Sequence, residues 1–202
     1  TLLDASELAA LHAVVAERGG VLIVDEIYQG LTYGVPASSA LAQPLSDSSF
    51  VINSFSKYYG MTGWRLGWLV APPVRVRDIE KLAQHFFIAA PTVAQYAALA
   101  AFTPDTLTEL ERRRAAFDTR RLALLPRLRA LGFEIACEPQ GAFYIYASLR
   151  DVAHPLAHDS AAFAQDLMER AGVVMTPGLD FGDHHPRDHV RIAYTTDLAR
   201  LH

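Results

Sequence analysis

The chain has 202 residues, of which 51% are hydrophobic, enough to form a sizeable core in one or two domains. Its formal net charge of −4 at pH 7 gives no electrostatic reason to expect binding to nucleic acid or to an anionic membrane. Cys137 is the only cysteine, which excludes an internal disulfide and favours a reducing compartment, the cytoplasm. No apolar run approaches the ~20 residues that span a bilayer, and no signal peptide is visible.

The first half of the chain alternates helical and strand patterns. Asp4 and Glu7 have capping-box spacing and predict a helix start, and Gly19-Gly20 predict its end. The continuous apolar run over 21–24 predicts a strand covered on both faces. After a polar loop over 30–49, strands are predicted over 50–53 and 66–70, and helices over 74–88 and 92–102. Residues 1–110 are therefore predicted to form an α/β unit with a mostly parallel sheet.

The second half begins with a long helix rich in Leu, Ala and Arg, predicted over 104–131 with a kink at Pro126. Asp159 and Gly172 are predicted to cap and end a helix over 160–171. Strands are predicted over 133–137, 142–147, 173–176 and 190–195, with Cys137 packed in the first of them. Residues 111–202 are thus predicted to form a linking helix and a smaller α+β domain.

Polar side chains stand where the first two predicted strands end. Asp25 and Tyr28 follow the first strand, and the second leads into a turn that carries Lys57 between serines and Arg65. In open α/β sheets, ligands bind outside the carboxyl ends of strands. A lysine carried there by a buried strand is well explained by a Schiff base with an aldehyde cofactor. Ser54, Ser56 and Arg65 are suited to hold the phosphate of such a cofactor.

Asp25 is suited to hold a proton on a cofactor ring nitrogen, and Tyr28 to donate a hydrogen bond to a ring oxygen. Singly, each residue also has an ordinary interpretation: a solvated aspartate, a half-buried loop tyrosine, an exposed turn lysine or a surface arginine. It is their order and spacing together that favours a cofactor site.

Two stretches resemble the class I/II aminotransferases, a family of fold-type I pyridoxal-phosphate enzymes: 25–28 (DEIY) and 54–67 (SFSKYYGMTGWRLG). The resemblance covers essentially the whole chain. It implies the C-terminal part of the large cofactor-binding domain, followed by the small domain. It also implies a homodimer that binds pyridoxal 5′-phosphate and transfers an amino group between an amino acid and a 2-oxo acid.

The resemblance implies a role for each matching residue. Lys57 would carry the cofactor and act as the catalytic base, and Arg191 would bind the substrate carboxylate, with Arg187 a weaker competitor. The implied cofactor-binding residues are Asp25, Tyr28, Ser54, Ser56, Lys57 and Arg65. The stretches 141–144 and 177–182 resemble family turns near the mouth of the active site, without assigned chemistry.

The resemblance also implies that the chain is part of a longer protein whose first half is absent from it. That half would supply helix N-terminal amides for the phosphate, an aromatic ring that stacks on the cofactor, and an asparagine for the ring oxygen. We therefore expect the 202 residues alone to bind pyridoxal phosphate weakly and to turn over slowly or not at all.

Three alternatives stay open from the sequence. One is β-elimination from a sulfur amino acid on the same scaffold, although Tyr28 favours transamination. Another is a cofactor-sensing domain of a transcriptional regulator, which requires a helix-turn-helix segment upstream. The third is a fold without catalysis, which the joint presence of Asp25, Lys57, Arg65 and Arg191 disfavours.

Two charged or metal-ligating runs have plain interpretations. The pair His184-His185 lacks spaced carboxylate or cysteine partners and is predicted to lie in a solvated loop, so no metal site is expected. The run over 112–114 (RRR), beside Glu109 and Glu111, is predicted to form the wet face of the long helix.

Overall fold

A computed structural model of the chain describes residues 2–43 and 49–201, which form two compact units. The first unit spans Leu2–Arg114, and the second begins at Ala115. Residues 44–48, which belong to the loop predicted over 30–49, lie outside the described residues.

The first unit contains a small sheet and helices, in the order α1 Ala5–Glu17, β1 Leu22–Asp25, β2 Ser49–Ser54, β3 Gly67–Val70, α2 Pro73–Phe86 and α3 Thr92–Ala100. The strand order is β1-β2-β3, with β1 parallel to β2 and β3 antiparallel to β2. The expected parallel pairing is thus confirmed for β1 with β2 and is wrong for β2 with β3. The connection over 55–66 contains only one 3-10 turn, whereas a parallel return requires a crossover, usually a helix.

Helix α1 begins where the sequence predicts. Asp4 Oδ1 accepts hydrogen bonds from the amides of Ser6 (2.7 Å) and Glu7 (2.8 Å), and Glu7 Oε2 accepts one from the Asp4 amide (2.8 Å). Gly19, at φ 64°, lies just past the end of the helix. The predicted capping box is confirmed, because it depends only on neighbouring residues.

The predicted burial of β1 on both faces is wrong. Ile23 is 61% exposed, while Leu22 and Val24 on either side of it are half-buried. Within the part of the chain that the structure describes, nothing covers the face of the sheet that carries Ile23.

The second unit is built on helix α4 (Pro104–Ala130), which runs through the boundary between the units and contains Pro126. Beyond it come β4 Tyr144–Ser148, α5 Ser160–Ala171, β5 Thr176–Pro177 and β6 His189–Ala193. The strands form an antiparallel sheet in the order β4-β6-β5. Its core includes the fully buried side chains of Ile145, Leu149, Val190 and Tyr194.

Helix α5 has its predicted bounds, and two predicted strands do not form as expected. Asp159 Oδ1 caps the helix by accepting from the amides of residues 161 and 162, and Gly172 ends it at φ 66°. The segment 133–137 makes only one bridge, from Glu134 to Ser148, and Cys137 is exposed rather than packed in a strand. The strand expected over 173–176 is reduced to β5, which keeps only Thr176 of that range.

No helix among residues 2–43 and 49–201 combines the length and the hydrophobicity needed to cross a membrane.

Leu149→Ala should lower the free energy of unfolding of the second unit by about 2–5 kcal/mol, because it leaves a cavity at a side chain that is 0% exposed. Leu131→Ala, at a position 63% exposed in the same unit, is the matched control and should change it by less than about 1 kcal/mol. Urea unfolding followed by far-ultraviolet circular dichroism measures both. Equal shifts for the two variants would contradict this description of the core.

Candidate active site

The candidate site lies at the carboxyl ends of β1 and β2. These strands are parallel, with Asp25 opposite Ile52, and the Glu26 amide donates to the Ile52 carbonyl at 2.8 Å. Because parallel strands end at the same edge of a sheet, the last residue of β1, Asp25, and the last residue of β2, Ser54, come to one side of the molecule. The structure thus brings together the two stretches that the sequence singles out.

Asp25 ends β1, and Tyr28 stands in the loop that follows. Asp25 is exposed, and its Oδ1 accepts a hydrogen bond from the Ile27 amide at 3.0 Å, which forms a local turn. Its second carboxylate oxygen has no hydrogen-bond partner among the described residues. Tyr28 is half-buried, and Lys57 Nζ lies 5.7 Å from the centroid of its ring. Tyr28 and Lys57 are therefore neighbours although 29 residues separate them.

The turn that carries Lys57 is held by its own hydroxyl groups. Ser54 Oγ lies 2.9 Å from Ser56 Oγ and 3.2 Å from the Leu66 carbonyl, and it accepts a hydrogen bond from the Ser56 amide at 3.0 Å. Thr62 Oγ1 donates to the Ser56 carbonyl at 2.6 Å. These bonds join both ends of the turn, so its backbone conformation is set locally.

Aromatic packing anchors the same turn from the inside. Phe55 is buried, and its ring centroid lies 4.9 Å from that of Tyr59 and 5.1 Å from that of Trp68. Burial raises the pKa of the Tyr59 hydroxyl. Lys57, which lies between Phe55 and Tyr59 in sequence, is itself half-buried.

Arg65 has an uncommon backbone conformation for a residue with a side chain. Its φ of 53° and ψ of 50° place it in the left-handed region. Its Nη1 donates to the Thr62 carbonyl at 2.8 Å, and no carboxylate of the described residues pairs with it. The remaining guanidinium donors are thus available to an anion. Strain of this kind is often found at ligand sites.

Gly67 allows β3 to approach the end of β2. A Cβ atom at this position would lie 2.7 Å from the Asn53 carbonyl oxygen, which is too close for any side chain. The glycine that follows Arg65 in the resemblance is therefore explained by backbone contact.

Lysine is rare in this chain: Lys57 and Lys81 are the only two. Lys81 is exposed and pairs with Asp78 one helical turn earlier, at 3.4 Å. The second lysine of the chain thus has an ordinary surface role, which sets Lys57 apart.

Arg191 belongs to the second unit, on β6. Its guanidinium carbon lies 4.2 Å from the ring centroid of Tyr144 and 4.6 Å from that of Phe181, so both rings make cation–π contacts with it. No carboxylate of the described residues pairs with it. Arg187, by contrast, pairs with Asp159 at 2.9 Å. The two turns predicted at the site mouth, 141–144 and 177–182, supply the two rings.

Asn53 is a supporting residue that the sequence reasoning missed. It is buried, its Nδ2 donates to Gln29 Oε1 at 3.1 Å, and its Oδ1 accepts from the Ser54 amide at 2.7 Å. It therefore links the loop after β1 to the start of the lysine turn. In the sequence, a polar residue at the end of the apolar strand predicted over 50–53 is the feature that could have indicated this role.

Glu26, in the stretch 25–28, has a structural role. Its carboxylate accepts from Ser39 Oγ at 3.0 Å and from the Ala40 amide at 2.5 Å. It fastens the loop before residue 44 to the end of β1.

The predicted wet face of the long helix is only partly correct. Arg112 and Arg113 are exposed and pair with Glu109, whose pKa falls to about 2 because their guanidinium groups donate hydrogen bonds to it. Arg114 instead turns inward, and its Nη1 donates to the Thr32 carbonyl at 2.9 Å. Its Nε pairs with Glu111 at 2.7 Å.

Glu111 also accepts a hydrogen bond from the hydroxyl of Tyr58, at 2.6 Å. Burial and this bond raise the pKa of Tyr58, and the same bond lowers the pKa of Glu111. The contact was not predictable from local pattern, because 53 residues separate the partners.

His184 and His185 are exposed and contact each other. Across the part of the chain that the structure describes, no three His, Cys, Asp or Glu side chains gather as metal ligands.

Tyr58→Phe should flatten the loss of stability at alkaline pH. Because the folded pKa of Tyr58 is raised above its ordinary value of 10.0, the unfolded state releases this proton first. The stabilisation that the protonated Tyr58 hydroxyl gives the folded state is complete below about pH 10. It is lost as the pH rises through the folded pKa. Urea unfolding between about pH 8 and about pH 11 gives the free energy of unfolding as a function of pH. The slopes of the wild-type protein and of Tyr58→Phe should differ by the equivalent of up to about one proton per molecule. Equal slopes for the two proteins would contradict the raised pKa of Tyr58.

Comparison with known proteins identifies relatives of this chain. The family model described as aminotransferase class I and II matches residues 1–202. A valine–pyruvate aminotransferase of Mycobacterium tuberculosis is 39% identical over 194 residues, which cover 96% of this chain and 49% of that protein. A (5-formylfuran-3-yl)methyl phosphate transaminase of Methanocaldococcus jannaschii is 37% identical over 181 residues, 89% of this chain and 46% of that protein.

Among solved structures, an aminotransferase from Mycobacterium tuberculosis superposes with a TM-score of 0.90 at 38% identity, over 100% of this chain and 51% of that one. The chain spans about half the length of the curated relatives it matches. The family match over the whole sequence and these identities agree with the expected α/β fold of the fold-type I enzymes. The chain belongs to the aminotransferase class I and II family.

Proposed function

We propose that the intact protein transfers an amino group between an amino acid and a 2-oxo acid, using pyridoxal 5′-phosphate held by Lys57. The observation that carries the proposal is the meeting of Lys57, Tyr28 and the strand-end Asp25 at one edge of the sheet. Family membership supports the same reaction. The relatives named above differ in their substrates, and the amino acid is left open.

The chemistry of the donor set fits the cofactor. An amine suits its aldehyde, the unpartnered oxygen of Asp25 suits a protonated ring nitrogen, and the unpaired Arg65 suits its phosphate. Ser56 Oγ lies 2.9 Å from Ser54 Oγ in the lysine turn, and a hydroxyl group suits a phosphate oxygen. The stacking group, an asparagine for the ring oxygen and part of the phosphate cradle are expected from outside this chain.

When bound, pyridoxal phosphate supplies an electron-accepting ring that stabilises negative charge at the substrate α-carbon. Asp25 would keep the proton on the ring nitrogen, and the Tyr28 hydroxyl would donate to the ring oxygen. Lys57 Nζ would act as the base that takes up and returns the proton of the substrate α-carbon. Arg65, Ser54 and Ser56 hold the phosphate, which keeps the reacting atoms in register with Lys57.

Arg191 is proposed to bind the α-carboxylate of the substrate. A guanidinium offers two parallel N–H donors to a carboxylate, and the rings of Tyr144 and Phe181 hold its plane in place. Because no carboxylate of the described residues neutralises it, a substrate carboxylate would be its first anionic partner.

We propose further that the intact protein is a cytoplasmic homodimer. The resemblance to the family supports the dimer, and the single cysteine of the sequence, Cys137, whose side chain is exposed, supports a reducing compartment. Phe86 and Ile88, at the end of α2, are 80% and 83% exposed. Exposure of two large apolar side chains so close in sequence supports contact with further polypeptide in the intact protein.

Lys57→Ala should lower amino transfer by at least about 10³-fold in the intact protein, because it removes both the covalent anchor and the base. Lys81→Ala is the matched control and should leave the rate within about twofold. Amino transfer to a 2-oxo acid measures activity, and borohydride trapping with peptide mapping locates the pyridoxyl group. Transfer at the wild-type rate in Lys57→Ala would refute the assignment. Release of ammonia and pyruvate from a sulfur amino acid without any 2-oxo acid would instead indicate elimination.

Arg191→Ala should raise KM for the amino acid by about 10- to 100-fold, as expected for the loss of charge-assisted hydrogen bonds. Arg191→Lys should recover only part of this loss, since an ammonium lacks the planar fork. Arg187→Ala, which removes an arginine already paired with Asp159, is the control and should change KM by less than about threefold. Steady-state kinetics of the intact protein distinguishes these variants, and similar KM values for Arg191→Ala and Arg187→Ala would reject the role of Arg191.

A further inference from the structure

The residue after the candidate lysine makes a contact that no local pattern predicts. The Tyr58 hydroxyl donates to Glu111 Oε1 at 2.6 Å, and Glu111 Oε2 accepts from Arg114 Nε at 2.7 Å. Arg114 Nη1 then donates to the Thr32 carbonyl at 2.9 Å. This series of bonds, the Tyr58 network, joins the lysine turn, helix α4 and the loop after β1. All of its members belong to the first unit.

The ring of Tyr58 reinforces the network by packing on backbone. A Cβ atom on Gly30 would lie 2.9 Å from two carbons of the ring, and Gly30 has a φ of 91°. Tyr58 therefore covers the loop that begins at Asp25, and only glycine permits this approach. Contact through both the ring and the hydroxyl leaves Tyr58 little rotational freedom.

The neighbouring residues of the turn are held on another side. Phe55 and Tyr59 pack on each other, and both pack on Phe102 of the first unit, with ring centroids 5.8 Å and 5.5 Å from it. Lys57 thus lies in sequence between a residue held by an aromatic cluster and one held by the Tyr58 network. The ring of Tyr28, which Lys57 Nζ approaches, belongs to the loop that Tyr58 covers.

We propose that Tyr58 is a positioning residue for Lys57: through Glu111 and Arg114 it holds the lysine amine toward the loop of Asp25 and Tyr28. The proposal rests on the proposed function of Lys57. Tyr58 is not itself a catalytic residue, because it acts through the backbone of the turn. Glu111 is about half exposed, so the effect of losing the bond is modest rather than complete.

The experiment compares three variants of the intact protein. Tyr58→Phe removes the hydroxyl and keeps the ring on Gly30, and Glu111→Gln keeps an acceptor and removes the charge. Glu109→Gln is the matched control, because Glu109 lies on the same helix and pairs only with arginines among the described residues. Unfolding in urea first establishes that each variant is folded.

Two measurements are then made on each variant. The first is hydrogen exchange on the cofactor-free protein, in which peptides covering 55–66 report the rigidity of the turn. Brief treatment with pyridoxal phosphate and borohydride, followed by peptide mapping, gives the ratio of labelling at Lys57 to labelling at Lys81. In that reaction the amine and aldehyde condense with loss of water, and borohydride supplies the hydride that reduces the product. Lys81 serves as the reference within each molecule.

We expect Tyr58→Phe to speed exchange in 55–66 and to lower the labelling ratio, each by roughly fivefold, with a smaller effect in Glu111→Gln and none in Glu109→Gln. Unchanged exchange in Tyr58→Phe overturns the proposal and leaves the function of Lys57 standing. Faster exchange with an unchanged ratio also overturns it, because the role of Tyr58 would then be structural only. A wild-type protein that labels Lys57 no faster than Lys81 removes the proposed function, and the positioning role with it.

Discussion

The parallel pairing of β1 with β2 is the constraint on which the candidate site depends. It brings the last residues of the two strands, Asp25 and Ser54, to one edge of the sheet. The antiparallel return of β3 then closes the lysine turn, which is possible because Gly67 lets the backbone pass close to Asn53. A lysine between two paired strand ends has few conformations open to it. The pairing of the strands therefore determines where the site lies, and the side chains at the strand ends determine its chemistry.

The charges of the arginines and glutamates of this chain do not by themselves determine whether they link distant segments. Glu109 and Glu111 both accept hydrogen bonds from arginines on one helix, but only Glu111 reaches another segment, through Tyr58. Exposed pairs along a helix contribute little to stability, because water and salt screen their charges. Contacts between distant segments matter more here because they set the relative placement of loops that carry chemistry.

The same distinction separates the three arginines considered for anion binding. Arg187 is already paired with Asp159, whereas Arg65 and Arg191 have no carboxylate partner among the described residues. Arg65 is held by its own turn in a left-handed conformation, and Arg191 is held between two aromatic rings. An unpaired guanidinium that is fixed in place loses little freedom when it binds an anion, and this suits both to the roles proposed for them.

Local physics explains what the sequence alone determined. The capping residues of α1 and α5 predict their helices because each cap bonds to amides two or three residues away, and the order of Asp25, Tyr28, Lys57 and Arg65 predicts the family. Strands need partners, so the segments 133–137 and 173–176 formed less structure than their composition predicts, and β3 took the opposite direction. Only the tertiary structure decided that Tyr58 meets Glu111 and that two aromatic rings hold Arg191. Those contacts join residues far apart in sequence, and no local periodicity records which distant segments a folded backbone brings together.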